Sequence, residues 1–132
     1  MIVLDTHTLV WWVGADAKLS TAAKHRIETE LDNDGLLAIS SISAWEIAML
    51  VAHGRLTLTM AVDDWLETVA RIDGVRFIPV DNHIAIASTQ LPEPFHKDPA
   101  DRLIVALARQ LNAPLITADS KLQSYPHVHT LW

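Results

Sequence analysis

The sequence predicts an α/β fold, a three-layer α/β/α sandwich around a central, mainly parallel sheet of four to five strands. Two observations predict it. Short apolar runs alternate along the chain with segments that have helical spacing. These runs are almost entirely apolar rather than apolar at every second position, which is typical of parallel strands covered on both faces. The predicted strands cover residues 2–4, 36–39, 75–78 and 115–117, and residues 128–131 are a candidate last strand.

The first quarter of the chain is predicted to form a strand followed by two helices. The opening strand stops at Asp5, and the short helix of residues 9–13 ends at Gly14, a residue suited to a helix C-cap. Ser20 then begins a longer helix, because apolar residues recur at helical spacing after it. The polar turn of residues 32–35 leads into the second strand.

The middle of the chain contains a pattern that marks a helix start. Ser43 and Glu46 have the spacing of a capping box, in which the serine and the glutamate each satisfy a backbone N–H of the first turn. This pattern predicts a helix that begins at Ser43 and closes at His53-Gly54. Residues 62–72 again have helical spacing, and Pro79 indicates the end of the third strand.

The last helices are marked by their N-caps. Asp81 is expected to cap a helix to about Leu91. Asp98 is a suitable N-cap and Pro99 suits the first helical position, so another helix is predicted from there to about residue 112. Asp101 then falls at the third helical position, above an apolar stripe.

Composition limits the class of protein. The chain has 132 residues, half of them hydrophobic, which suits one domain over residues 1–132. It has no uncharged apolar run of about 18 residues and no signal-peptide pattern at its start, so we expect a cytoplasmic protein without a membrane segment. Because it has no cysteine, disulfides, zinc-thiolate sites and cysteine nucleophiles are excluded, and any metal ion must be held by oxygen or imidazole.

Net charge and tryptophan content bear on partners. The formal charge of −6 argues against a protein that coats nucleic acid by bulk attraction, but it does not exclude a nuclease whose site is itself acidic. Five tryptophans in a small chain favour an apolar surface covered by a partner, and we expect a homodimer. We interpret four of them as core or subunit-interface residues: Trp11, Trp12, Trp45 and Trp65.

Four acidic residues are predicted to meet at one edge of the sheet. Ligands of parallel α/β sheets bind at the carboxyl edge of the strands, where the strand order reverses. Four acids lie beside this edge in the predicted topology: Asp5, Glu46, Asp101 and Asp119. Carboxylates forced together either raise their pKa values or hold cations, and oxygen ligation suits Mg²⁺ or Mn²⁺. The pattern predicts metal-assisted phosphodiester hydrolysis, with Asp5, Asp101 and Asp119 as metal ligands.

Neighbouring polar residues have two interpretations each. Asp5, Glu46 and Asp119 could be helix caps or turn acids alone, and Asp98 could be a ligand or only a cap. Three hydroxyl residues could orient the acids or merely cap helices: Thr6, Ser43 and Thr117. Arg102 could clamp a substrate phosphate, although we favour an ion pair with Asp98. The histidines have no ligand spacing, and His7 and His96, nearest the acids, are interpreted as surface and loop residues.

Taken in order, these residues resemble the PIN-domain ribonucleases, and most closely the VapC-type toxins of bacterial type II toxin–antitoxin pairs. Four segments carry the resemblance: D-T-H from Asp5, S-x-x-S-x-W-E-I from Ser40 to Ile47, H-x-D-P-x-D-R from His96 to Arg102, and L-I-T-A-D from Leu115 to Asp119. The resemblance implies a Mg²⁺- or Mn²⁺-dependent endoribonuclease with Asp5, Glu46, Asp101 and Asp119 as its acidic cluster. It also implies a homodimer held in check by an antitoxin protein.

Other α/β classes fit less well. A dehalogenase-like, metal-dependent phosphatase needs a second acid two residues after Asp5, where this chain has His7. A receiver-type signalling module would need Asp81 as phosphoacceptor, but Asp81 is better explained as a helix cap. A non-catalytic interaction module, with structural acids, is the remaining alternative.

Overall fold

The computed structural model describes residues 1–132 and has a five-stranded sheet covered by seven helices. The strands are β1 (Ile2–Leu4), β2 (Leu37–Ser40), β3 (Val75–Ile78), β4 (Leu115–Ile116) and β5 (Thr130–Leu131). The helices are α1 (Thr6–Val13), α2 (Thr21–Asp32), α3 (Ser41–Ala52), α4 (Val62–Ala70), α5 (Asn82–Thr89), α6 (Pro99–Leu111) and α7 (Ser120–Gln123). None of these helices combines the length and the apolarity needed to cross a membrane.

All strands of the sheet are parallel, in the order β3-β2-β1-β4-β5. The chain moves outwards from β1 through β2 to β3 and then returns to the other side of β1, where β4 pairs with it. The strand order therefore reverses between β1 and β4. In open α/β sheets this is the point where a crevice forms at the carboxyl edge. The predicted fold class is confirmed, including the candidate fifth strand.

The core consists of two layers, one on each face of the sheet. Val3 packs into the cluster formed mainly by α6, with Ile104 and Leu107, whereas its neighbours Ile2 and Leu4 pack into the opposite cluster. That second cluster contains side chains of α1, α2, α3 and α4. Both faces of β1 are thus covered, which explains why this strand is apolar throughout.

Helix starts differ from the predicted ones in two places. Helix α1 begins at Thr6 rather than at residue 9, because Asp5 is its N-cap and accepts the Thr8 N–H at 2.9 Å. Helix α3 begins at Ser41, with Ser40 as N-cap accepting the Ile42 N–H. The predicted capping box at Ser43 is therefore wrong. Ser43 lies inside the first turn, and Glu46 belongs to the second.

Candidate active site

An open pocket of about 440 Å³ lies at the carboxyl edge of the sheet, around the reversal point between β1 and β4. Five of its lining residues are carboxylates, and none is lysine or arginine. The carboxylates come from separate parts of the chain: Asp5, Glu46, Asp98, Asp101 and Asp119. The structure therefore brings all four predicted site acids together, with Asp98 beside them.

Asp5 is held rigidly where β1 ends. It is 7% exposed, its Oδ1 caps α1, and the Thr117 hydroxyl donates to its Oδ2. Thr117 Oγ1 in turn accepts the backbone N–H of Asp119 at 3.0 Å. A single buried threonine after β4 thus fixes two of the acids, and Asp119 also caps the short helix α7.

Glu46 is oriented by a chain of two hydroxyl groups. The Thr6 hydroxyl donates to Glu46 Oε1, and because this uses its only proton, Ser43 must donate to Thr6 across 2.8 Å. Burial raises the pKa of Glu46, the charges of Asp98 and Asp5 add to this effect, and the Thr6 hydrogen bond and His7 oppose it. Glu46 therefore lies at the site as a partly buried acid and has no capping role.

Asp98 and Asp101 share the first turn of α6. Asp98 is its N-cap, as predicted, and its Oδ1 accepts the Asp101 N–H at 3.0 Å. Burial raises the pKa of Asp101 to about 7, and the charges of Asp98, Asp119, Glu46 and Asp5 contribute. Near neutral pH, Asp101 is thus about half protonated, which limits the repulsion among the acids.

The donor chemistry of the pocket fits a hard divalent cation. All its acidic groups offer carboxylate oxygen, the ligand type that Mg²⁺ and Mn²⁺ prefer alongside water. No three acidic or histidine side chains are already spaced as a ligand set around one point. Ionised carboxylates repel one another, and a cation between them would offset that repulsion.

Arg102 has a different role from the one predicted. Its Nε donates to Ser88 O at 2.8 Å, Nη1 donates to His96 O at 3.1 Å, and Nη2 pairs with Glu93 Oε1 at 3.1 Å. The predicted ion pair with Asp98 is therefore wrong. The guanidinium group holds the loop before α6 against that helix, and it does not line the pocket.

Two aromatic side chains that line the pocket, and a third that contacts Asp101, were not predicted as site residues. His7 and Trp11 line it, four residues apart on α1, with ring centroids 5.7 Å apart. Their helical spacing was a usable signal once α1 was known to begin at Thr6. His96 Nε2 lies 3.4 Å from Asp101 Oδ2, buried and without a hydrogen-bond partner. No periodicity in the loop before α6 signals this contact.

The tryptophans divide between core and surface. Trp65 is buried in the core, as predicted, whereas Trp45 is 57% exposed on α3. Trp45 also lines a mainly apolar pocket of about 380 Å³ to which Glu46 and Asp98 contribute.

Comparison with known proteins gives one family. The PIN domain model matches residues 2–128. The chain is 35% identical over 133 residues to Ribonuclease VapC22 of Mycobacterium tuberculosis (strain ATCC 25618 / H37Rv), covering 99% of this chain and 98% of that protein.

Solved structures agree at the level of the fold. VapBC2 from Rickettsia felis, bound to a DNA fragment from its promoter, matches with a TM-score of 0.69 and 19% identity, over 99% of this chain and 98% of that chain. A toxin–antitoxin complex from Klebsiella pneumoniae matches with a TM-score of 0.67 and 18% identity, over 100% of this chain and 97% of that chain.

Proposed function

The chain belongs to the PIN-domain family, and from this premise we propose that it is a Mg²⁺- or Mn²⁺-dependent endoribonuclease, the toxin of a toxin–antitoxin pair. The observation that carries the proposal is the pocket in which Asp5, Glu46, Asp101 and Asp119 meet at the reversal point of a parallel sheet. The name of the 35% identical relative, a ribonuclease, supports RNA as the substrate.

We assign Asp5, Asp101 and Asp119 as the residues that hold the cation. A bound divalent cation activates water and offsets negative charge on a phosphoryl group. Thr117 fixes the Asp5 carboxylate relative to the backbone of Asp119. Asp101 must lose its proton first, because its pKa is raised to about 7.

Glu46 is the fourth catalytic acid of the proposal. Thr6 donates to its Oε1, whereas its Oε2 accepts no hydrogen bond from the protein. Since burial raises the pKa of Glu46, Oε2 is suited to accept a proton from a water molecule and to position it for attack on phosphorus.

Partners form the second part of the proposal. We infer one nuclease domain over residues 1–132, acting as a homodimer in the cytoplasm and covered by a protein antitoxin. Solved relatives described as toxin–antitoxin complexes support the antitoxin. Large apolar side chains on the surface of α3 and α5 support a protein-covered surface: Trp45, Met49 and Ile86.

The test is cleavage of total RNA by the purified chain, with and without Mg²⁺, followed by sequencing of the product ends. We expect cleavage with Mg²⁺ or Mn²⁺, none after chelation, and a loss of at least about 100-fold in Asp101→Asn, because the charge that holds the cation is removed. Asp32→Asn is the matched control, an exposed acid at the end of α2. Equal cleavage by wild type and Asp101→Asn would contradict the proposed site, and a chain that cleaves no RNA would favour an interaction module.

A further inference from the structure

A second cleft lies on the other side of His96 from the acidic pocket. It has a volume of about 470 Å³, and its walls are the loop before α6 on one side and α7 with the following turn on the other. It is lined by four aromatic rings, one lysine, two prolines and a serine and by no acidic side chain, in a chain whose formal charge is −6. The two neighbouring cavities therefore differ sharply in charge.

Four aromatic rings form a continuous cluster along this cleft. Phe95 stacks on Tyr125, with ring centroids 4.2 Å apart and planes at 28°, and His96 and His127 extend the cluster at its two ends. The Tyr125 hydroxyl donates to Pro92 O at 2.6 Å, and Tyr125 itself is 4% exposed. The cluster is thus anchored in the protein, while Phe95 is only partly buried and His127 is exposed.

The cleft adjoins the proposed catalytic acids through His96. His96 lines it and also lies 3.4 Å from Asp101 Oδ2, so one imidazole separates the two cavities. Lys121 lies on the opposite wall, and its backbone N–H donates to Asp119 Oδ1 at 2.8 Å. Both walls of the cleft are therefore attached to acids of the pocket.

The charges around the cleft suit a nucleic-acid strand, whose backbone is anionic. Lys121 gives the cleft a positive charge, and Glu93, the nearest acid of the loop, is paired with Arg102 outside the lining. Aromatic rings beside a cation form the usual platform for single-stranded nucleic acid, because every base has a stacking face.

We propose that this cleft binds a nucleotide of the RNA strand next to the one whose phosphate enters the acidic pocket. The base packs against the exposed part of Phe95 and His127, and Lys121 pairs with the phosphate. This inference rests on the proposed ribonuclease function and adds a subsite to it.

Steady-state cleavage of a short single-stranded RNA by the full chain tests the subsite. We expect Lys121→Gln and His127→Ala each to raise KM roughly tenfold and to leave kcat within about twofold, since stacking and phosphate contacts act on binding. The matched controls are Lys24→Gln and His25→Ala, exposed residues of α2 on the other face of the sheet, and these should behave like wild type.

A second measurement separates the subsite from the catalytic proposal. Uridine 5′-monophosphate is titrated into the labelled chain, and we expect chemical shift changes at the Phe95, Tyr125 and His127 ring resonances that Lys121→Gln weakens. Absence of these changes overturns the subsite, even if RNA is cleaved. Wild-type KM values in both variants also overturn it, and this is the result expected if a protein segment occupies the cleft. If no RNA is cleaved, the ribonuclease proposal fails, and the nucleotide titration alone then decides the subsite.

Discussion

Asp101 is the residue at which charge and burial conflict most strongly. Its side chain is 21% exposed, and four other carboxylates lie near enough to raise its pKa. Folding therefore favours its protonated form. Below the unfolded pKa of about 4 it is neutral in both states, but as pH rises to about 7 the unfolded chain ionises first. The stability that this group contributes is fully present below about pH 4, and it is lost as pH rises to the folded pKa of about 7.

The loss of stability at high pH gives a prediction for Asp101→Asn in the absence of divalent cations. Asparagine cannot ionise, and Asp98 still accepts the backbone N–H of residue 101. We expect a gain of about 1–3 kcal/mol in the free energy of unfolding at pH 8, with most of the gain absent at pH 4.5. Urea denaturation in chelator measures it, with Asp32→Asn as control. A variant less stable than wild type at pH 8 would refute the electrostatic account.

At the residue scale, the predictable part of the site was the set of acids. Asp5 and Asp119 follow strands and Asp101 lies in the first turn of a helix, features that are visible in the sequence, whereas Glu46 lies in the second turn of α3. The partners of these acids were less predictable, because a contact such as Thr6 with Glu46 depends on how α1 and α3 pack. Arg102 was assigned to the wrong partner for the same reason: the path of the loop with Glu93 is set by tertiary contacts.

At the scale of elements, α3 decides whether Glu46 is structural or catalytic. The helix starts at Ser41, so its cap is Ser40 and the hydroxyl of Ser43 serves Thr6 instead. An S-x-x-E pattern has the same spacing in a capping box and in the interior of a helix. Three of the four residues from 40 to 43 are serines, so the sequence offers more than one N-cap for α3. In the structure the Ser43 side chain is buried, and Ser40 is the cap.

Two substitutions follow from this assignment, one at the N-cap of α3 and one inside the helix. Ser40→Ala should cost about 0.5–2 kcal/mol in unfolding free energy, because it removes the true N-cap. Glu46→Gln should cost less than about 1 kcal/mol, since Thr6 can still donate to the amide oxygen, but it should abolish RNA cleavage. Denaturation and cleavage assays on the same samples measure the unfolding free energy and the RNA cleavage of each variant. If Glu46→Gln is destabilised as strongly as Ser40→Ala and still cleaves RNA, Glu46 is a structural residue.

Among the helices, α6 was predictable and α7 was not. Helix α6 was placed to within about a residue, because Asp98-Pro99 marks its start and Asn112, in the left-handed conformation, marks its end. Helix α7 was missed, since four residues cannot display a helical period. It matters for the site because Asp119 caps it.

At the scale of the whole molecule, topology gathers the charges. The chain crosses from β3 back over the sheet to β4. Thr117 therefore lies beside Asp5, although 112 residues separate them in sequence. The resulting pocket concentrates five carboxylates in a chain of charge −6. Such a site costs folding free energy without a cation, and a ligand that binds only the native state returns stability as RT ln(1 + [L]/Kd).

Mg²⁺ should therefore raise the melting temperature of the chain, and the shift should be larger at pH 8 than at pH 6. At a concentration of about 100 times Kd the gain is about 2.7 kcal/mol. The pH dependence follows from Asp101, whose pKa of about 7 means that a cation must displace a proton below neutrality. Thermal melts with Mg²⁺ or with chelator measure the shift, and Asp101→Asn and Asp119→Asn should reduce it strongly, whereas Asp32→Asn should not. An equal shift in all four proteins would place the cation outside this pocket, and a shift that is independent of pH would exclude Asp101 from its ligands.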